Sequence, residues 1–184
     1  MRARTGLAVV LTGTATALLT LGYQPSHADP VVTNATILRV VDGDTVTVAS
    51  DLRGRLKVRI IGLDTPETVR DEWSVGCHGP EASAYAKEVL SGQRVELLTD
   101  PTQDSTDRYG RTLAEVILSD GTNYAVQAVK LGHGKAYVYG HNPSKWAGEI
   151  QAAEDQAKSS HAGLWGAPCW GQVESKPLRP RKGK

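Results

Sequence analysis

The sequence predicts an α+β protein, mainly β, whose short strands and three helices are compatible with a small closed barrel. Three observations favour this class. β-branched and apolar residues fill five short segments, the helical segments are few, and Asp, Gly and Pro punctuate the connections between segments. No internal repeat is visible in the sequence, so we expect one folded domain over residues 31–170.

The first three strands are predicted at residues 34–41, 45–49 and 56–63. The Asp42-Gly43 pair between the first two strands is a strong short-range hairpin signal. A helix is predicted over residues 80–90, because Pro80 lies in its first turn and Ser91-Gly92 follows its end.

Two more strands are predicted at residues 94–98 and 112–118, on either side of a polar loop. A helix over 124–131, a short strand over 136–139 and a third helix over about 143–159 complete the domain. The third helix places Trp146, Ile150, Ala153 and Ala157 on one face. This order of elements is compatible with a closed Greek-key barrel of the oligonucleotide-binding type, the OB-fold.

The N-terminal segment has the pattern of a secretory signal peptide. Arg2 and Arg4 precede an apolar stretch at 7–21, and residues 26–28 (SHA) form a small-x-small site of signal-peptidase type. The alternative is an uncleaved membrane anchor, which the Thr and Gly interruptions and the short span disfavour. We therefore expect cleavage after residue 28, a secreted protein, and no stable membrane association afterwards.

The chain has two cysteines, Cys77 and Cys169. Export makes a disulfide between them the natural hypothesis, and this bond would close a loop over most of the domain. The alternatives are two free thiols or a metal site with further ligands. No pair of histidines stands beside the cysteines at ligand spacing, which disfavours structural zinc.

The formal net charge of +1 includes segments outside the predicted domain. Without residues 1–28 and 171–184 the net charge is about −5. Polyanion binding must therefore come from local basic patches and from the tail at 171–184, which holds five basic residues and one acidic residue. The tail is punctuated by Pro and Gly and has little apolar content, so we expect it to be disordered.

Carboxylates lie at the ends of two predicted strands. Asp42 and Asp44 belong to the first hairpin, and Asp64 and Glu67 follow the third strand. Asp44 and Asp64 can offer oxygen ligands to calcium or magnesium, and they would repel each other without a cation or an arginine between them. An EF-hand is excluded because its later ligand positions and closing Glu are missing.

Two arginines accompany these carboxylates. Arg59 lies inside the apolar third strand, where it needs an anion, and Arg111 follows the polar loop. Their guanidiniums can clasp a phosphate and stabilise charge on phosphorus, while Glu67 is placed to orient or deprotonate a water. A metal, two guanidiniums and one carboxylate are what phosphodiester hydrolysis requires.

Each of these features also has a purely structural interpretation. The segment at 42–44 is by itself a good hairpin turn, and the segment at 64–67 is a typical turn leaving a strand. Arg59 can pair with a structural carboxylate, and Arg111 can be a surface residue at the end of a loop. Their joint occurrence in this order favours the catalytic interpretation.

Four motifs together resemble the staphylococcal nuclease, or thermonuclease, family: residues 41–45 (VDGDT), 59–67 (RIIGLDTPE), 79–83 (GPEAS) and 106–111 (TDRYGR). The resemblance extends over about residues 35–165. It implies a five-stranded OB-fold barrel with three helices. It also implies a calcium-dependent nuclease that hydrolyses DNA and RNA with little sequence specificity and leaves 3′-phosphate ends.

The resemblance also implies roles for single residues. Asp44, Asp64 and the backbone carbonyl of Thr65 would hold Ca²⁺. Arg59 and Arg111 would bind the scissile phosphate, and Glu67 would act on the attacking water.

Arg108 and Tyr109 match a basic and aromatic pair beside the terminal phosphate, and Tyr137 and Tyr139 match aromatic residues of the nucleotide pocket. For these last two tyrosines the alternative is packing in the core or at its rim. Aromatic platforms commonly hold single strands, so single-stranded substrates are expected to be favoured.

The chain also departs from the family pattern. The best-known member is strongly basic and lacks cysteine, whereas this domain is mildly acidic, which predicts weaker and more salt-sensitive binding of nucleic acid. A second hypothesis is a nuclease-like barrel that only binds nucleic acid or a protein. Degenerate copies of that kind are expected to lose an arginine, the glutamate or a metal ligand, and all are present here. No coiled-coil seam is visible, so a monomer is expected.

Overall fold

The computed structural model describes residues 32–68 and 72–178, so the predicted signal segment and the last six residues of the tail lie outside the described residues. Its strands are β1 (Ala35–Val40), β2 (Thr45–Ser50), β3 (Gly54–Ile60), β4 (Leu63–Asp64), β5 (Arg94–Leu98), β6 (Thr112–Ile117) and β7 (Lys135–Ala136). Its helices are α1 (Gly79–Leu90), α2 (Tyr124–Lys130) and α3 (Ala147–Ser159). Among the described residues, no helix has both the length and the apolar content needed to cross a bilayer.

Five of the strands form a closed barrel in the order β1-β2-β3-β6-β5, and β5 pairs in turn with β1. All neighbours are antiparallel except β3 and β6, whose parallel pairing closes the barrel. The predicted OB-fold barrel of five strands with three helices is therefore confirmed.

Alternation along the strands fills the barrel with β-branched side chains. Val46, Val48 and Val58 are fully buried, and Ile60 is almost so. Burying each such side chain contributes on the order of 2 kcal/mol. From α2 the buried Tyr124 donates its hydroxyl to the carbonyl of Gly43 at 2.9 Å, so the core also fixes the first hairpin.

The predicted third strand, residues 56–63, is divided in the structure. Gly62 has φ +78°, a conformation that favours glycine, and the chain turns there. β3 therefore ends at Ile60, residues 61 and 62 form the turn, and Leu63–Asp64 form β4, which pairs with β7. Other boundaries differ by a few residues: β3 begins at Gly54 instead of residue 56, β7 is Lys135–Ala136 instead of 136–139, and α3 begins at Ala147 instead of about residue 143.

The C-terminal part of the chain is attached to the loop before α1. A disulfide joins Cys77 to Cys169, with Cα atoms 5.7 Å apart. Residues 172–178, which we call the C-terminal strap, exchange backbone hydrogen bonds with this loop, Ser74 N–H to Lys176 O at 2.7 Å and Leu178 N–H to Glu72 O at 2.7 Å. Composition does not reveal these backbone contacts, and the disorder of the tail at 171–184 stays a prediction.

Candidate active site

The closed barrel brings three sequence-predicted residues to one end of the sheet. Asp44 directly precedes β2, Arg59 lies near the end of β3, and Asp64 ends β4. Residue 45 lies opposite Arg59 in the β2–β3 pair, and the N–H of Ile60 donates to the carbonyl of Asp44 at 2.9 Å. The strand register thus places the first hairpin beside the end of β3.

Asp44 is nearly buried and is held by hydrogen bonds to both carboxylate oxygens. Its Oδ2 accepts the backbone N–H of Thr65 at 3.0 Å and the Thr65 hydroxyl at 3.1 Å, and its Oδ1 accepts the Thr45 hydroxyl at 3.0 Å. A Cβ on Gly43 would come within 2.6 Å of the Thr65 side chain, so this approach requires glycine.

The guanidinium of Arg59 lies between two carboxylates. Its Nη2 is 3.4 Å from Asp44 Oδ2 and 3.4 Å from Asp64 Oδ1. Its Nη1 donates to the carbonyls of Ile60 at 2.8 Å and Leu63 at 2.6 Å. Only 13% of the Arg59 side chain is exposed, and its hydrogen bonds fix its orientation. Its position in an apolar strand predicts an anionic partner, and the two carboxylates are that partner.

Arg111 joins the same cluster through a threonine. Its Nε donates to Asp107 Oδ2 at 2.6 Å, and its Nη1 donates to the Thr45 hydroxyl at 3.2 Å. Because that hydroxyl donates in turn to Asp44, a continuous hydrogen-bonded chain links Arg111 to the carboxylates.

Negative charge is in excess at this end of the barrel. Burial and then the charge of Asp44 raise the pKa of Asp42 to about 6, and Glu67 acts in the same direction. Burial and then the charge of Asp44 also raise the pKa of Asp64, against the influence of Arg59. Because 54% of the Asp64 side chain is exposed, solvent screens these effects in part. This edge of the barrel therefore favours binding of a cation.

Glu67 lies just beyond these residues, where its Oε1 accepts the backbone N–H of Thr68 at 3.0 Å. Its charge acts on both Asp42 and Asp64, so it belongs to the same electrostatic cluster. Within the part of the chain that the structure describes, no group of three or more His, Cys, Asp or Glu side chains has the arrangement of a metal site.

The three sequence-predicted tyrosines lie at the surface and outside the core. Tyr137 is 43% exposed, and the Arg59 guanidinium carbon lies 5.9 Å from its ring centre. Tyr109 is 69% exposed, with Arg108 at 4.9 Å and Arg111 at 5.4 Å from its ring. Tyr139 is also exposed, and in residues 32–68 and 72–178 no ring contact joins it to the other site residues. The structure brings Tyr109 and Tyr137 to the arginines and leaves Tyr139 apart.

Two residues of this cluster are absent from the sequence-predicted site. Thr45 connects Arg111 to Asp44, and Asp107 fixes the Arg111 side chain and accepts the N–H groups of Tyr109 and Arg111, both at 2.9 Å. The spacing of four residues between Asp107 and Arg111 is a sequence signal for the role of Asp107. Nothing local distinguishes Thr45 from the other strand threonines.

Comparisons with known proteins identify one family. The family model for staphylococcal nuclease homologues matches residues 57–167, a range that contains Arg59, Asp64, Glu67 and Arg111. The thermonuclease of Staphylococcus intermedius is 36% identical over 143 residues, which cover 78% of this chain and 82% of that protein. The thermonuclease of Staphylococcus hyicus is 38% identical over 129 residues, 70% of this chain and 73% of that protein. Endonuclease YncB of Bacillus subtilis (strain 168) is 34% identical over 145 residues, 78% of this chain and 67% of that protein.

Proposed function

Because the chain belongs to the staphylococcal nuclease family and is a nuclease, we propose that it is a secreted, calcium-dependent enzyme that hydrolyses DNA and RNA with little sequence specificity. The proposal includes 3′-phosphate ends as products. The observation that carries it is the placement of Arg59 at 3.4 Å from both Asp44 and Asp64, with Arg111 connected to the same carboxylates.

The residues present fit a hard divalent cation. Asp44, Asp64 and the backbone carbonyl of Thr65 supply only oxygen, which Ca²⁺ prefers. Burial and then the charge of Asp44 raise the pKa of Asp64 although Arg59 acts in the opposite direction, which supports a site that a further cation would stabilise. When bound, the cation would supply positive charge to a phosphate oxygen as that oxygen gains negative charge.

The two arginines are proposed to bind the scissile phosphate. Arg111 is anchored through Nε and Nη1, so its second terminal nitrogen is available to a ligand. Arg59 is anchored through Nη1, and its Nη2 points at the carboxylates where the phosphate would sit. Fixed guanidiniums of this kind stabilise the charge that develops on phosphorus.

Glu67 is proposed to take a proton from the attacking water. The water oxygen bonds to phosphorus, the bond from phosphorus to the 5′ oxygen breaks, and that oxygen leaves as a hydroxyl with a proton from solvent. This direction of cleavage leaves the phosphate on the 3′ side, as the family resemblance implies.

The exposed tyrosines support a preference for single strands. Tyr109 and Tyr137 each present a ring beside a guanidinium, and unstacked bases bind such platforms whatever their sequence. We propose that Arg108 assists at the terminal phosphate and that Tyr139 contributes to the same base-binding surface.

Secretion rests on the sequence pattern of residues 1–28 and is supported by the disulfide between Cys77 and Cys169, because disulfides persist in oxidising compartments. We propose that the mature enzyme acts as a monomer.

The decisive experiment measures degradation of single-stranded DNA by the protein from Asp29 onward with calcium, with magnesium and with chelator. Arg59→Ala and Glu67→Gln test the site, and Glu88→Gln, an exposed glutamate on α1, is the matched control for Glu67. Calcium-dependent cleavage that both site variants lose and the control retains would support the proposal. Binding without cleavage under every condition would overturn it in favour of a binding module. Treatment of the products with phosphatase followed by mass measurement identifies the 3′ end.

A further inference from the structure

We propose that the outer face of β1, β2 and β3 carries a basic track that binds the phosphate backbone of a single-stranded nucleic acid beyond the cleavage site. The track consists of Arg39, Arg55 and Lys57 and ends at Arg59, and the exposed Arg53 lies in the turn that precedes β3. The inference rests on the proposed function only for the role of Arg59, and it adds a binding surface that extends well beyond that residue.

The alternation of β3 creates the track. Val58 and Ile60 point into the barrel and are buried, whereas Arg55 and Lys57 are exposed on the opposite face, the face of Arg59. Residues two apart on a strand are separated by about 6.6 Å. This spacing is comparable to that of neighbouring phosphates in an extended strand.

Cross-strand pairing widens the track. Arg39 in β1 lies opposite Thr47 in β2, and Thr47 lies opposite Lys57 in β3, so the three residues form one row across the sheet. The next row along β2 pairs Ala49 with Arg55. The β2 positions in these two rows, Thr47 and Ala49, are small and uncharged.

Among the described residues, the cations of the track that precede Arg59 have no side-chain partner. Across residues 32–68 and 72–178, Arg39, Arg53, Arg55 and Lys57 make no side-chain hydrogen bond or ion pair, and all four are exposed. By contrast, Arg94 on the neighbouring β5 binds both oxygens of Asp51, at 2.8 and 2.7 Å. Unpaired guanidiniums in a row are available to bind phosphate.

The row of cations differs in charge from the rest of the domain. The predicted domain has a net charge of about −5, so free cations concentrated on one face are not a general property of its surface. The simpler interpretation is a solvated face that only aids solubility. That interpretation does not explain why the row of cations leads to the candidate active site.

Continuity with the candidate active site favours binding. The row advances from Arg55 to Lys57 to Arg59, and Thr45, opposite Arg59, accepts the hydrogen bond from Arg111. A strand whose scissile phosphate lies at Arg59 and Arg111 can place its next phosphates along β3. A single line of cations suits one backbone, so we commit to a single strand as the ligand and not to a duplex.

The test uses the full mature protein and the double variant Arg55→Gln/Lys57→Gln. Its matched control is Lys87→Gln/Lys130→Gln, which removes the same charge from exposed positions on α1 and α2. Binding is measured by fluorescence anisotropy in chelator with labelled single-stranded DNA of about 16 and about 3 nucleotides, and with a duplex of the longer length.

The track variant is expected to bind the longer strand roughly tenfold more weakly than the wild type, with no change for the short strand. The slope of log K against log salt is expected to become shallower by about 1.4, which is two single-strand phosphate contacts. The control variant should match the wild type. An equal loss in both double variants, an equal loss for the short strand, or a duplex bound as tightly as the single strand would overturn the proposal.

Cleavage assays with calcium separate this proposal from the preceding one. For the longer strand, the track variant is expected to raise KM and to leave kcat unchanged. Wild-type cleavage with an unaltered KM in the track variant would refute the track and leave the nuclease assignment intact. If the track variant alone loses binding of the long strand and the wild type does not cleave it, the track is supported and the catalytic proposal is refuted.

Discussion

The Nε of Arg111 donates a hydrogen bond to Oδ2 of Asp107 at 2.6 Å, within a loop that Asp107 also organises. The other oxygen of Asp107 accepts two backbone N–H groups of the same loop. Burial alone would raise the pKa of Asp107, but the hydrogen bonds from Arg111 and Tyr109 lower it. Asp107 is therefore ionised at neutral pH and is a positioning residue for Arg111.

Replacement of Asp107 by Asn is expected to reduce kcat/KM on single-stranded DNA roughly tenfold, because a charge-assisted hydrogen bond to the guanidinium is lost. The measurement is steady-state kinetics at pH 7 with calcium. Asp120→Asn is the matched control, since Asp120 also accepts a backbone N–H two residues on, from Thr122 at 2.9 Å, and takes no part in the candidate site. Equal activity of the two variants would show that Asp107 does not position Arg111.

The five barrel strands are predictable from the sequence because alternation is a local signal. Val46, Val48 and Val58 reveal their strands within a few residues. The division at Gly62 is less visible, since a glycine is compatible with both a strand and a turn. Closure depends on the parallel pairing of β3 with β6, which joins segments far apart in sequence and leaves no local pattern.

The same distinction applies to the candidate site. Asp44, Arg59 and Asp64 stand out because charged residues interrupt or follow apolar strands, and the closed barrel places them together. The connection of Arg111 to Thr45 spans 66 residues and exists only in the folded chain. Sequence patterns therefore identify the reactive groups, and the structure identifies the residues that hold them.

The disulfide is expected to be a major source of stability. Replacing both Cys77 and Cys169 by Ser should lower the free energy of unfolding by on the order of 4 kcal/mol, because the bond restricts a loop of 92 residues in the unfolded chain. Urea unfolding at pH 7 measures this difference.

Dithiothreitol provides the control, since it should destabilise the wild type and leave the double variant unchanged. A loss below about 1 kcal/mol would mean that the C-terminal strap and the packing around it hold the two segments together without the covalent bond.

A partly buried histidine pair is expected to make the fold sensitive to acid. The ring nitrogens His78 Nε2 and His133 Nδ1 lie 3.2 Å apart, and Tyr85 stacks on His133 at 4.2 Å. Burial and then the charge of His78 lower the pKa of His133 to about 4, although Glu81 acts in the opposite direction.

Between pH 6.5 and about 4 the unfolded chain therefore binds a proton that the folded His133 does not. Stability should fall as the pH decreases through this interval, by on the order of 1 kcal/mol once partial exposure is allowed for. His133→Gln should reduce this part of the decrease. Urea unfolding of both proteins at about pH 7, 5.5 and 4 tests the prediction. An equal decrease of the free energy of unfolding in both proteins would contradict it.

Glu115 is expected to lower the stability of the protein at neutral pH. The side chain is 2% exposed on β6, and its Oε2 accepts one hydrogen bond, from Asn123 at 3.0 Å. Its Oε1 has no partner of normal geometry among the described residues, although the Ser144 hydroxyl stabilises the charge in part. Burial raises the pKa of Glu115 in the folded protein. The protonated carboxyl therefore contributes to the stability of the fold, fully below the pKa of the unfolded chain, and this contribution is lost as the pH rises through the folded pKa.

Glu115→Gln keeps the shape of the side chain and removes the buried charge. We expect the variant to be more stable than the wild type at pH 7 by on the order of 1 kcal/mol, and the two proteins to converge as the pH approaches about 4. Urea unfolding across this range measures the difference, with Glu88→Gln as the exposed control. If the Glu115→Gln variant is less stable than the wild type at pH 7, the prediction is wrong. That result would mean that hydrogen bonds fully offset the cost of burying the carboxylate, because only a fully hydrogen-bonded charge stabilises the fold more than the neutral amide does.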